Sequence, residues 1–145
     1  MKIAIIINLF PPKWLGGTEV ATYNLAEQLA KKGHEIHVIT SYDEGLPIFQ
    51  KINGFCVHRI AWPKVRIIGV LIFWLEIFLK NCTIKPDIVH AQDLSMGIPA
   101  YAVKIILKKP YVVWGRGSDV YLPGLLMRIC NRSTLWNADA IFALT

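Results

Sequence analysis

The chain has 145 residues, 54% of them hydrophobic and 18% charged, which excludes a disordered segment and fits one domain able to bury about 68–70% of its unfolded surface. Its formal net charge of +6 suits an anionic partner such as a nucleotide, a phosphate or a membrane surface. The basic residues are scattered, without runs or aromatic interleaving, which argues against nucleic acid as a partner.

Taken in chain order, residues 2–8 read as a continuous apolar strand of the kind buried on both faces of a parallel sheet. The run is too short for a signal-peptide core, so a cytoplasmic protein is expected. A Pro/Gly loop over 9–17 follows. Thr18 is then expected to cap a helix that carries Glu19 in its first turn and stops at Lys31-Lys32-Gly33. Residues 35–40 form the next strand, and the short crossover implies a parallel pair. Asn53-Gly54 signals a hairpin between strands at 49–52 and 55–60.

A helix is expected from Pro63 to about Lys80. Its stretch 67–79 is apolar apart from Glu76, shorter than the roughly 20 residues a membrane span needs. With Lys64 and Arg66 at its start and Phe73, Trp74 and Phe78 beyond, it suits two roles. One is a peripheral contact with the inner face of an anionic membrane. The other is a core helix packed on the sheet, and an apolar character on nearly all sides favours that one. Strands at 87–91, 111–114 and 139–144 alternate with helices at 95–107, interrupted early by Pro99, and 123–136. This alternation predicts an α/β fold, a Rossmann-like, doubly wound, mostly parallel sheet with helices on both faces. The chain stops at Thr145 directly after its last strand, so a domain spanning 1–145 and cut before its last helix is expected.

In such a sheet, ligands bind beyond the carboxyl ends of the strands. The polar and glycine-rich residues concentrate there: Gly16, Gly17, Thr18 and Glu19 after the first strand, His90, Gln92 and Asp93 at the end of the strand at 87–91, and Arg116, Gly117, Ser118 and Asp119 after the strand at 111–114. Gly16 and Gly17 stand directly before a helix N-terminus, where free N–H groups favour an anion such as a diphosphate. Arg116 offers paired donors to phosphate or carboxylate, and Asp119 accepts from sugar hydroxyls; the alternative is a local Arg116–Asp119 ion pair that shapes the loop. His90 is either a catalytic group or a packed histidine of the strand. The first turn lacks G-x-G-x-x-G, which argues against a nucleotide-cofactor oxidoreductase. Cys56, Cys82 and Cys130 are odd in number and far apart, so neither disulfides, a metal site nor any other cofactor is expected.

Phe10-Pro-Pro, Gly16-Gly17-Thr-Glu19 and the run from Leu25 through Gly33-His34 to Thr40 resemble the opening of glycosyltransferase family 4. Pro86-Asp-Ile-Val-His90-Ala-Gln, Lys109-Pro-Tyr-Val-Val-Trp-Gly-Arg116-Gly-Ser-Asp119 and Ala138-Asp-Ala-Ile-Phe-Ala-Leu144 follow in the family's order, so the likeness covers nearly the whole chain. The resemblance implies the N-terminal, acceptor-side half of a two-domain GT-B enzyme. Such an enzyme is retaining, metal-independent and supplied with a nucleotide-sugar. It implies that Gly16 and Gly17 approach the donor diphosphate while His90, Arg116 and Asp119 line the acceptor side. The expected site is then Arg116, Asp119 and His90 as the catalytic set, with Gly16, Gly17, Thr18, Glu19, Gln92, Asp93, Gly117 and Ser118 binding substrate or donor diphosphate. Arg116-Gly117 replaces the His-Gly that many members carry. The C-terminal donor domain, with its paired glutamates, is absent from these residues, so the chain is expected to be inactive alone and to need that domain in cis or in trans. The other function class open at this point is a non-catalytic binding module that pairs with a separate donor-domain chain or a membrane surface.

Overall fold

The computed structural model describes residues 1–63, 65–116 and 125–143. Within them the chain runs β1 (Lys2–Ile6), α1 (Gly17–Lys31), β2 (Glu35–Ser41), β3 (Phe49–Ile52), β4 (Phe55–Ile60), α2 (Arg66–Ile84), β5 (Ile88–Ala91), α3 (Gly97–Leu107), β6 (Tyr111–Gly115), α4 (Leu125–Asn137) and β7 (Ala140–Ala143). The strands form one seven-stranded sheet in the order β3-β4-β2-β1-β5-β6-β7. All pairs are parallel except β3 with β4. This is the doubly wound α/β sheet that the alternation of elements predicts.

The apolar run of β1 explains its central place. Ile3 and Ile5 point into the layer under α1, together with Phe10, Ala26, Ile36, Val38, Phe55 and Val57. Ala4 and Ile6 point the other way, toward Phe73 and Ile77 of α2 and Ala100 and Val103 of α3. A strand buried on both faces has no room for polar side chains, so it reads as unbroken Ile and Ala. Among the described residues helix α1 alone covers the first face, where Tyr23 and Phe55 meet edge to face at 5.3 Å. Helices α2, α3 and α4 cover the second.

Local signals place the turns. Asn53 and Gly54 adopt φ of 45° and 88°, the left-handed pair that a two-residue hairpin requires, and β3 pairs antiparallel with β4 as expected. The α1 helix ends where Gly33 turns to φ 86° and donates to the Ala30 carbonyl while His34 donates to that of Leu29. Pro99 falls in the first turn of α3, where a missing N–H costs no hydrogen bond.

Two expectations need correction. The cap of α1 is Gly16, in extended conformation and without a side-chain cap bond, so Thr18 is not the cap but lies inside the first turn. The helix starts earlier because Gly16 already offers its carbonyl to the N–H of Val20 at 3.0 Å. The expected 63–80 helix instead spans Arg66–Ile84, and its stretch Ile67–Ile84 is, by length and composition only, long and apolar enough to cross a membrane. That stretch is 28% buried, so α2 is not a fully packed core helix. Sequence apolarity on all sides does not require burial on all sides: only the stripe with Phe73, Ile77 and Ile84 meets the sheet.

Candidate functional site

β1 has β2 on one side and β5 on the other, so the order of connections reverses between β1 and β5. The loops leaving these two strands diverge, and a crevice opens beyond their carboxyl ends. A cleft of about 250 Å³ lies there, lined by Ile7, Asn8 and Leu9 after β1, Thr18 and Glu19 of α1, Gln92, Asp93 and Ser95 after β5, and Arg116 after β6.

The floor of this cleft is a hydrogen-bonded cluster assembled from three segments. Gln92 is fully buried, and its Oε1 accepts from Arg116 Nη2 at 2.7 Å and from the Thr22 hydroxyl at 3.0 Å. Arg116 Nη1 donates to the Thr18 carbonyl at 3.3 Å, tying the end of β6 to the first turn of α1. The guanidinium stacks over Trp114, with its carbon 3.6 Å from the ring centroid. The Gln92 Nε2 group is buried and has no partner among the described residues, although a buried donor ordinarily finds one. An amide donor, a guanidinium and a helix N-terminus thus converge on one small volume.

Gly16 has a specific steric duty here. The Glu19 carboxylate folds back over it, into the space a β-carbon would fill. The helix N-terminus therefore carries a negative group beside its free N–H groups, as the dipole favours. Gly17 has nothing within 4 Å of the position its β-carbon would take, so its backbone is open to an approaching molecule.

Asp93 lines the cleft but is partly committed to structure. Its Oδ1 accepts from the Met96 N–H at 3.0 Å and from the Ser95 hydroxyl, which shapes the entry to α3. His90 is not among the residues lining the cleft. It sits lower on β5, opposite Ile5 and Val112, with its ring parallel to that of Trp114 at 6.2 Å. Burial first, and then the nearby Arg116, push the His90 imidazole down to about 4, so it is neutral at pH 7. Gly117, Ser118 and Asp119 lie outside the described residues, and so does any Arg116–Asp119 pair.

The structure therefore joins Thr18, Glu19, Gln92, Asp93 and Arg116 in one place and sets His90 a layer beneath. It also adds residues that the sequence reading passed over: Asn8, Thr22, Ser95 and Trp114. Trp114 had a signal, since residues two apart on a strand share a face and Arg116 follows it. Thr22 had one as well, as a polar residue on the core-facing side of an amphipathic helix.

A second hollow, of about 560 Å³, lies at the same carboxyl edge, lined by Lys13, Tyr42, Asp43, Glu44, Ala61 and Trp62. Asp43 braces it, accepting from Trp14 Nε1 and pairing with Lys13 Nζ, both at 3.0 Å. Among the described residues no group of three or more His, Cys, Asp or Glu is placed to hold a metal ion.

Comparison with known proteins gives these geometries a family context. The model of glycosyltransferase family 4 matches residues 15–145. An uncharacterized glycosyltransferase of Methanocaldococcus jannaschii is 35% identical over 118 residues, 77% of this chain and 30% of that protein. Among solved structures, sucrose-phosphate synthase from Thermosynechococcus elongatus superposes with a TM-score of 0.80 at 13% identity, over 97% of this chain and 41% of the other. Anabaena HepE in complex with UDP and glucose gives 0.66 at 13% identity, over 97% and 37%. The likeness to these structures is one of fold, that of one half of a GT-B protein. The chain spans about 30% of the length of the curated relatives it matches.

Proposed function

This chain belongs to glycosyltransferase family 4, and from that premise we propose that it forms the acceptor-side half of a retaining, metal-independent transferase acting on a nucleotide-sugar. The observation that carries this reading is the convergence on one cleft at the switch point of the α1 N-terminus, Arg116 and Gln92, whose Nε2 has no partner among the described residues. These are all donors, and a diphosphate is an acceptor with dispersed negative charge. Backbone N–H groups at a helix start and a guanidinium are the usual means of holding such a group.

In this reading the open backbone at Gly17 is the point of closest approach to the phosphates. Arg116 stabilises the charge that gathers on the leaving diphosphate as the glycosidic bond to it breaks. Gln92 orients Arg116 from below and Trp114 holds its plane, so the guanidinium is aimed before substrate arrives. His90, neutral and stacked beneath Trp114, is a positioning residue. The acceptor is assigned to the hollow beside Tyr42 and Trp62, whose aromatic faces and flanking carboxylates suit a polyhydroxylated ring. HepE, a protein of the same fold in complex with UDP and glucose, supports the nucleotide-sugar assignment. The matched relatives are about three times as long as this chain, and the donor-side wall is assigned to that additional length.

The test is calorimetric titration of the protein with UDP in the presence of EDTA. Binding is expected, and Arg116→Ala is expected to weaken it about tenfold or more and to cut turnover of the whole enzyme by about 100-fold. Equal UDP affinity in Arg116→Ala would remove the guanidinium from the phosphate site and the proposal with it.

A further inference from the structure

Helices α2, α3 and α4 form one layer on the sheet, and the outer surface of that layer is apolar where water-facing helices are polar. On α2, Ile67, Ile68, Leu71, Ile72, Leu75 and Leu79 are between 39% and 69% exposed. At about 100° per residue they share one outward stripe, opposite the stripe that packs on the sheet. Ile105 and Ile106 of α3 continue it. On α4, Leu125, Ile129 and Trp136 are exposed in turn, and Trp136 is 83% so. Arg128 and Arg132, also exposed, stand between them on the same face of that helix.

We propose that this three-helix face is a docking surface for an anionic phospholipid bilayer, with α2 lying in the interface. Charge complementarity chooses the occupant. The chain carries a net charge of +6. On this layer the exposed arginines of α4 are joined by exposed Lys85 and Lys108 at the ends of α2 and α3. Of the exposed acids of this layer, Asp87 and Asp139 are paired with Lys109 and Lys104, and Glu76 stands on α2 at the margin of the apolar stripe, so the basic groups outnumber the acids. A second copy of the chain would press this positive face against itself, whereas anionic headgroups neutralise it while the acyl boundary takes up the Ile and Leu side chains. The helix lies on the bilayer and does not span it, because Phe73 and Ile77 are fully buried against the sheet and both ends of α2 lead into strands of that same sheet. The cleft lies on the α1 side of the strand ends, so docking leaves it open. Docking does not depend on the transferase assignment.

Flotation of the protein with vesicles of phosphatidylcholine alone or mixed with phosphatidylglycerol tests this. Binding to the mixed vesicles is expected to exceed binding to the neutral ones by about tenfold or more at low salt and to fall with added salt. Leu71→Glu with Leu75→Glu is expected to abolish it while leaving the thermal melt unchanged, since both positions are exposed; Arg128→Glu with Arg132→Glu is expected to remove the lipid-charge preference. Absence of that preference in the starting protein, or full binding by the Leu71/Leu75 variant, would overturn the proposal. So would a dimer in sedimentation velocity that the same variant dissociates, since that result assigns the face to a protein contact.

Discussion

Helices α1 and α2 cover opposite faces of the same sheet, and their outer surfaces are finished differently. α1 turns Asn24, Gln28 and Lys31 to solvent, with Val20 its one exposed large apolar residue, and packs Thr22 and Ala26 inward. α2 packs Phe73 and Ile77 inward with equal completeness but turns Ile and Leu outward. Both satisfy the sheet, so the sheet alone does not explain the second pattern. α1 is finished for water, whereas α2 carries the outward apolar stripe on which the proposed lipid contact rests. The same contrast holds at the helix starts: α1 begins with open glycine backbone at the cleft, whereas Gly69 in the first turn of α2 is pressed against the Pro63 carbonyl.

The sharpest way to break this comparison is to truncate the two stripes of α2 separately. Phe73→Ala removes a fully buried ring and is expected to cost about 3–5 kcal/mol in urea unfolding. Leu75→Ala, on the exposed stripe, is expected to stay within about 0.5 kcal/mol. Similar losses at both positions would mean that the outward stripe is buried in the protein as it exists in solution. At the start of α1, Gly17→Ala is expected to leave the melt unchanged or slightly raised, since the new methyl meets nothing and alanine suits a helix. It is nevertheless expected to weaken UDP binding by about tenfold, because the methyl then stands where the phosphates approach. Unchanged binding would move the ligand away from the helix N-terminus.

A smaller effect concerns pH. Desolvation first, then His37 and Lys80, push His58 down to about 4, and His90 is pushed equally low. The unfolded chain binds protons at these sites near 6.5 and the folded one only near 4. Their contribution to stability is therefore complete above about pH 6.5 and is lost as pH falls toward 4. The melting temperature is expected to drop by a few degrees between pH 7 and pH 5, and His58→Gln is expected to flatten part of that slope. A melt independent of pH across this window would show that both imidazoles titrate normally.

Much of this architecture was legible in the residues. Asn53-Gly54 and Gly33 fix their turns by local backbone chemistry, and the unbroken apolar run of β1 requires burial on both faces. The gathering of Gly16, Gly17, Gln92, Asp93 and Arg116 at one edge also followed, because strand ends in a parallel sheet share a side. What was not legible depends on contacts between distant segments. Gln92 meets Thr22 across 70 positions of sequence and Arg116 across 24, and no spacing rule forecasts that pair. The sequence made His90 a candidate for the cleft; its place beneath Trp114 follows from the register of β5 with β6. The outward stripe of α2 was hidden for another reason: its composition is the same whether the outer side is buried or bare.

The floor of the cleft also has a counting property. The Thr22 hydroxyl lies 2.8 Å from the Thr18 carbonyl and 3.0 Å from Gln92 Oε1, yet it owns a single proton. It can serve one of the two oxygens at a time. Arg116 reaches both, through separate nitrogens, so each oxygen keeps a donor whichever way the hydroxyl rotates. A ligand that draws the guanidinium upward takes two donors from this floor, but the Thr18 carbonyl keeps the helical N–H of Thr22, so the hydroxyl is left to serve Gln92 Oε1. One hydroxyl inside α1 is thereby enough to keep both oxygens of the floor supplied when the guanidinium turns to a ligand.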